Sequence, residues 1–167
     1  MPEHRRPGAG CITWRDARPL PPSVTQAVTF PHRQLLERLL ARALEHDDGV
    51  SPERLSAAKA RLGFELPSVV VDFYRLAGNA PELQVHNRLR DPEALTVEDG
   101  YLVFMEENQR VVDWGLRLPL DGEADPEVWQ RVNGDEPAWY SETTSFSVFL
   151  VKNLAWTLGI ELRDIGP

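Results

Sequence analysis

The order of two hydrophobic periodicities constrains the fold of this chain most strongly. In residues 31–78, apolar side chains recur at the spacing of amphipathic helices. In residues 101–140, short runs such as YLVFM and RVVDW are rich in aromatic and β-branched residues, which is typical of strands. A further helical period follows. This order predicts an α+β domain, with N-terminal helices packed on an antiparallel sheet and a C-terminal helix closing it.

Cap residues define the first three expected helices. The first helix is expected over residues 31–46. The second begins after Ser51, a good N-cap that a proline follows, and ends at Gly63. The third has Ser68 as its expected cap and stops at Gly78-Asn79, because both residues tolerate positive φ. Three helices therefore precede the first strong strand signal.

The second half of the chain predicts strands separated by loops of Gly, Pro and Asp, and then a last helix. The two strongest strands are expected at Tyr101–Met105 and Arg110–Trp114, with shorter extended pieces at Leu116–Leu118, Val128–Arg131 and Ala138–Tyr140. The last helix is expected over residues 144–158, with Phe146, Phe149, Leu150 and Leu154 on its buried face.

Residues 1–30 predict a poorly ordered arm, and residues 31–167 a single domain. Five prolines interrupt the arm, and no hydrophobic period runs through it. Trp14 and Phe30 are the arm residues that could dock on the domain. The arm contains no apolar signal core, and no run in the chain approaches the length of a membrane span, so a soluble protein is expected.

The net charge restricts the possible partners, and the cysteine content indicates the cellular compartment. The net charge is −8, which argues against nucleic acid and anionic membranes as partners. An acidic surface suits a basic partner, and plain solubility explains it equally well. Cys11 is the only cysteine, so an intramolecular disulfide is excluded and a cytoplasmic location is expected.

The segment Glu106-Glu107-Asn108-Gln109 allows a catalytic or a structural interpretation. Two glutamates could form an acid–base pair, but adjacent strand residues point to opposite faces and cannot easily share one substrate. A hairpin loop is the favoured interpretation, with Asn108 in a left-handed conformation and Glu107 or Gln109 bonded to nearby backbone. A partner-binding edge is the second interpretation. A small hydrolase built on these glutamates and the serines and threonines of residues 141–147 is the weakest, because helix capping explains that cluster better.

No cofactor or metal is predicted. The four histidines are scattered, and none forms an i,i+4 pair or an H-E-x-x-H motif. The chain also lacks the G-x-S-x-G, G-x-G-x-x-G and P-loop motifs. We therefore expect a protein without catalytic residues.

The acidic loops of the second half provide the candidate partner-binding residues. Trp129 lies in sequence between loops rich in carboxylates, as an aromatic hot spot for a basic partner would. A half-buried strand position is the alternative for Trp129, and Trp114, Trp139 and Trp156 are expected in the core. The predicted surface consists of Asp121, Glu123, Asp125, Glu127, Trp129, Asp135 and Glu136.

Four segments, in order, resemble the SUKH superfamily. They are LGFELPSVVVDFYRLAGN, which begins at Leu62, the strand YLVFMEENQ, Trp114-Gly115, and the terminal stretch from Trp139 to Trp156. The resemblance spans about residues 35 to 158, the whole predicted domain. The family includes fungal cell-wall assembly regulators and many bacterial immunity proteins. Family members often have glycine-rich stretches where this chain has GNAPELQVHN and EENQRVVDWG.

The resemblance implies a binding module. Bacterial members of the family are thought to bind and neutralise toxins, often nucleases, and such immunity proteins are commonly acidic. It therefore implies an immunity protein that occludes a basic toxin domain. The alternative is an intracellular regulatory adaptor like the fungal members, with the proline-rich arm adding partner contacts.

Overall fold

A computed structural model describes residues 33–161 and residue 163. The elements are α1 (Arg33–Leu40), α2 (Pro52–Leu62), α3 (Ser68–Ala77), β1 (Asn87–Leu89), β2 (Thr96–Glu98), β3 (Tyr101–Glu107), β4 (Val112–Arg117), β5 (Glu127–Val132), β6 (Ala138–Ser145) and α4 (Phe146–Leu158). Short 3-10 turns lie at His46–Asp48, Pro81–Gln84 and Pro92–Ala94. The predicted arm, residues 1–30, lies outside the described residues.

All six strands form one antiparallel sheet. Strands β3, β4, β5 and β6 follow one another across it, and the short strands β1 and β2 both pair with β3, each along a different half. The helices cover one face, where Phe146 of α4 packs on Phe73 of α3 and on Phe104 of β3. This arrangement confirms the predicted α+β architecture, with helices on a sheet and a closing C-terminal helix.

Helix α2 has the bounds that its sequence predicts. The Ser51 hydroxyl accepts a hydrogen bond from the backbone N–H of Arg54, Pro52 is the first helical residue, and Gly63 ends the helix with φ of 82°. Leu55 and Ala58 are buried on its inner side. Local capping chemistry thus determines both ends of this helix.

The first helix is shorter than predicted. It ends at Leu40, because Ala41 takes a left-handed φ of 51°. The apolar period continues to Leu44. Leu44 is indeed buried, but it belongs to the non-helical segment that follows the helix. Arg42 holds that connection by binding both Asp48 and Glu82 with its guanidinium. The prediction extended the helix because periodicity cannot show these distant partners. Residues 31 and 32 of it lie outside the described residues.

Helix α3 ends for a different reason than the one predicted. Gly78 has φ of −60°, which any residue can adopt. Glycine is instead required by space, since a Cβ there would lie 2.8 Å from the Tyr74 carbonyl oxygen and from the Val50 side chain. The predicted cap was also wrong, because Pro67 precedes the helix and Ser68 is its first residue, with no side-chain cap.

Strands β3 to β6 differ in extent from the predicted ones. Glu106 and Glu107 belong to β3, so the β3–β4 turn is formed by residues 108–111, and its left-handed residue is Arg110 rather than Asn108. The extended piece predicted at Leu116–Leu118 is the end of β4. Strand β6 continues to Ser145 instead of ending at Tyr140. Cross-strand pairing lengthens these strands beyond their β-rich cores.

Membrane insertion by a helix finds no support in residues 33–161. None of the helices there combines the length and the apolar character needed to cross a bilayer.

Candidate functional site

The loop between β4 and β5 carries the first part of the predicted surface. Asp121 and Glu123 are exposed on it and have no hydrogen-bond or ion-pair partner among the described side chains. The loop borders an open cleft of about 330 Å³, whose other wall is the turn from Glu65 to Ser68. Glu65 forms an ion pair with Lys59, with 2.7 Å between Oε2 and Nζ. Two free carboxylates therefore stand at the rim of this cleft.

Asp125 has a structural role instead. Its carboxylate accepts hydrogen bonds from the Ser147 backbone N–H at 3.0 Å, the Ser147 hydroxyl at 2.6 Å and the Ser145 hydroxyl at 2.8 Å. Helix α4 has no cap from its own N-cap side chain. Asp125 thus caps α4 from a separate loop, which gives two of the clustered serines a structural role.

Glu127 also has a partner within the sheet. It accepts a hydrogen bond from the Ser141 hydroxyl of the neighbouring strand at 2.6 Å. Ser141 in turn accepts from the backbone N–H of Thr143, whose φ is 53°. Glu127 therefore supports the irregular end of β6, although its side chain is exposed.

Trp129 lies on the sheet face that the helices leave uncovered, called the outer face below. Its ring centroid is 5.7 Å from that of Tyr101, and the Arg117 guanidinium lies 5.6 Å above it. Trp129 is half-buried, as the alternative interpretation expected. Arg117 is exposed and ends β4, so this aromatic–cation pair is at the same end of the sheet as the β4–β5 loop.

Asp135 and Glu136 occupy a different place from the other five predicted residues. They are exposed in the β5–β6 loop, at the far end of β5 from the β4–β5 loop. The length of β5 separates the two ends by about 17 Å. The structure thus brings together Asp121, Glu123, Asp125, Glu127 and Trp129 at one end of the sheet.

An ion-pair network on the outer face was not predicted. Arg131 lies 2.7 Å from Asp113 and 2.6 Å from Glu98, and Arg90 reaches Asp113 at 3.6 Å and Glu106 at 3.3 Å. Burial lowers the pKa of Arg131, but the hydrogen bonds to Asp113 and Glu98 outweigh it, so the pKa is raised. One sequence signal could have indicated this network. Side chains alternate between the two faces of β4, so Asp113 points to the face opposite the one on which Trp114 is buried.

Aromatic rings continue this outer-face network. Trp139 stacks on Tyr101 with centroids 4.1 Å apart and planes 13° from parallel, and Arg131 lies 5.2 Å from its ring centre. Trp114 is in the core as predicted, but the core prediction was wrong for Trp139, which is half-buried on the outer face. The core prediction was wrong for Trp156, which is 54% exposed at the end of α4, next to His86.

The two glutamates of the polar segment do not converge. Glu106 points to the outer face and lies near Arg90, and Glu107 accepts hydrogen bonds from the backbone N–H groups of Gln109 and Val111. The bonds of Glu107 close the β3–β4 turn, as the structural interpretation expected. Adjacent residues of β3 thus serve two separate structural roles.

Glu142 is a carboxyl group on the helix side of the sheet. It accepts a hydrogen bond from the Trp114 indole N–H at 2.9 Å. Burial raises the pKa of Glu142, while the Trp114 bond and the charge of Lys152 act in the opposite direction. No three acidic, histidine or cysteine side chains of residues 33–161 are placed to hold a metal ion.

Comparison with known proteins gives no relative. Neither the family models, nor the curated proteins, nor the solved structures contain a match to this chain.

Proposed function

We propose that this chain is a non-catalytic, cytoplasmic immunity protein that binds a toxin domain with a basic surface and occludes its active site. The observation that carries the proposal is the pair of free carboxylates, Asp121 and Glu123, at the rim of the cleft beside the β4–β5 loop. Other acidic side chains nearby, Asp125 and Glu127, bind serines of the fold. Free carboxylates can attract a basic partner.

The total charge supports the same kind of partner. A net charge of −8 produces a field that favours encounter with a cationic surface, and such steering raises the association rate more than the affinity. The resemblance to the SUKH superfamily supports immunity as the biological role. The single cysteine agrees with a reducing compartment.

Trp129 and Arg117 supply a candidate anchor beside the charged loop. Tryptophan and arginine are enriched among the residues that dominate binding energy at interfaces. Tyr101 of β3 contacts the Trp129 ring of β5 across the intervening strand β4, so the ring loses little conformational freedom on binding. The proposed surface thus combines free carboxylates, for steering, with a held aromatic ring, for affinity.

Catalysis has no part in this mechanism. Glu106 and Glu107 lie on opposite sides of β3, and each has a structural partner. Inhibition by occlusion requires only that the bound domain blocks access of the substrate to the toxin.

Co-expression tests the proposal. The chain is produced in cells together with the toxin domain encoded beside its gene, and survival is scored against cells with the toxin alone. The proposal expects rescue and a complex that co-purifies. A double variant, Trp129→Ala with Arg117→Ala, is expected to weaken rescue. Cell death despite soluble expression of both proteins would reject toxin neutralisation and favour the adaptor alternative.

A further inference from the structure

One corner of the helix-side face of the sheet is left uncovered by α4. The helix starts beside the β4–β5 loop, where the Phe146 backbone N–H donates to Pro126, and it ends near β1, where Trp156 meets His86. Midway, Phe149 packs on Trp114 of β4. The helix thus crosses the sheet from β5 and β6 towards β1 and β3. It does not cover the corner of the sheet where β5 ends and β6 begins.

Strand register identifies the side chains at this corner. Trp114 pairs with Gln130, which pairs with Tyr140, so all three point to the helix side. Val132 lies two residues beyond Gln130 on the same face. Glu142 joins them through its bond to Trp114. We call Gln130, Val132, Tyr140 and Glu142 the β5–β6 corner.

The β5–β6 corner combines exposed apolar surface with a carboxylate. Tyr140 is 48% exposed and Val132 is 44% exposed, although both lie on the face that forms the core. Glu142 is half-buried beside them, receives one hydrogen bond from the Trp114 indole N–H, and is also influenced by the charge of Lys152. Apolar area next to a partly desolvated carboxylate favours a partner with apolar side chains and a cation.

Residues 1–32 of the same chain have this chemistry. They carry four arginines against two acidic side chains, whereas residues 33–167 carry 14 basic against 24 acidic side chains. Their large apolar side chains are separated by short intervals and include Ile12, Trp14, Leu20, Val24, Val28 and Phe30. The two parts of the chain are therefore complementary in charge and in apolar content.

The attachment point also suits the β5–β6 corner. The segment joins the domain at Arg33, the start of α1, and α1 packs against α4, the helix that borders the corner. A chain of 32 residues can extend about 100 Å, so reach does not limit the contact.

We propose that residues 1–32 dock on the β5–β6 corner of their own domain, with apolar side chains on Val132 and Tyr140 and an arginine beside Glu142. The contact is intramolecular. Because the segment is tethered, its effective concentration is high, and modest contacts suffice to hold it. The proposal does not depend on toxin binding.

The full-length chain provides its own probe. Cys11, the only cysteine, accepts a nitroxide label within the segment. Paramagnetic broadening of backbone amide signals then reports which part of the domain the segment approaches, with the chemically reduced label as the reference. We expect the greatest signal loss at Val132, Tyr140 and Glu142, and little at Gly63, which ends α2.

Two variants separate docking from damage to the domain. Arg15→Glu with Arg18→Glu leaves residues 33–167 unchanged and is expected to reduce the broadening at the β5–β6 corner. Tyr140→Lys is expected to reduce it as well. Broadening that is equal at Gly63 and at the corner would overturn the proposal. Broadening that arises only between labelled and isotope-enriched molecules in a mixture would also overturn it, by showing that a second copy supplies the segment.

Discussion

The Trp139 ring of β6 reaches across β5 and lies over Gly115 of β4, so that a Cβ on Gly115 would be 2.9 Å from the Trp139 ring carbon Cη2. The Leu102 carbonyl oxygen would be 3.1 Å from the same Cβ. Gly115 thus leaves the space in which Trp139 stacks on Tyr101. Close packing on the outer face requires this glycine, because its φ is not in the left-handed region.

Gly115→Ala is expected to destabilise the domain by about 1–3 kcal/mol, because the new methyl group must displace the Trp139 ring or the β3 backbone. Urea denaturation followed by tryptophan fluorescence measures the change. Gly134→Ala is the matched control, since a Cβ there meets no atom within 4 Å. Equal stability of the two variants would contradict the close packing of Trp139.

Asp125→Ala is expected to lower the free energy of unfolding by about 1–2 kcal/mol, because it leaves the first turn of α4 without a cap. Thermal unfolding by circular dichroism measures the loss. Asp121→Ala removes a carboxylate of the same loop that has no partner, and a change within about 0.5 kcal/mol is expected. If both variants unfold at the same temperature, Asp125 does not cap the helix.

Arg131→Met is expected to destabilise the domain by about 3–5 kcal/mol, because it leaves the buried carboxylate of Asp113 with too few partners. Asp113 is only 4% exposed. Arg54→Met is the control, since its partner Glu93 is exposed, and a loss of about 0–1 kcal/mol is expected. Chemical denaturation measures both. A loss for Arg131→Met no larger than for the control would argue against the network.

In a chain whose four arginines of residues 1–32 are changed to glutamine, so that none can pair with Glu142, Glu142→Gln is expected to stabilise the domain at neutral pH. The pKa of Glu142 is raised on folding, so the folded state binds a proton more tightly than the unfolded state. The ionised carboxylate thus reduces stability above the folded pKa, and this penalty disappears as pH falls below the unfolded value of 4.5. Glutamine keeps an acceptor for the Trp114 indole without the charge.

The measurement for Glu142→Gln is the free energy of unfolding of both proteins at several pH values. The advantage of the variant should shrink on acidification through the range just above pH 4.5. An advantage that is independent of pH, or a loss of stability at neutral pH, would contradict a desolvated carboxylate at this position.

Local chemistry made part of the fold predictable. Ser51 and Gly63 bound α2 through neighbours in sequence, and the apolar period of α4 identified its buried face. Helix α1 was predicted too long because its end depends on Arg42, whose partner Glu82 lies 40 residues away. A hydrophobic pattern contains no information about such a distant ion pair.

The candidate site was predictable only in part. Sequence identified the acidic loops and Trp129, but it could not show that Asp125 caps α4 or that Asp135 lies at the far end of β5. The outer-face network joins Arg90, Glu98, Asp113 and Arg131 from different strands or their flanks. Their proximity follows from strand order and register, which composition and spacing do not determine.

Association kinetics with the toxin domain test whether the β4–β5 loop forms the binding surface. Asp121→Lys with Glu123→Lys is compared with Asp135→Lys with Glu136→Lys, which makes the same change in net charge at the opposite end of β5. We expect the first pair to slow association about tenfold at low salt and to weaken its salt dependence, and the second pair to have a much smaller effect. Equal effects of the two pairs, or unchanged rates for both, would contradict a binding surface at the β4–β5 loop.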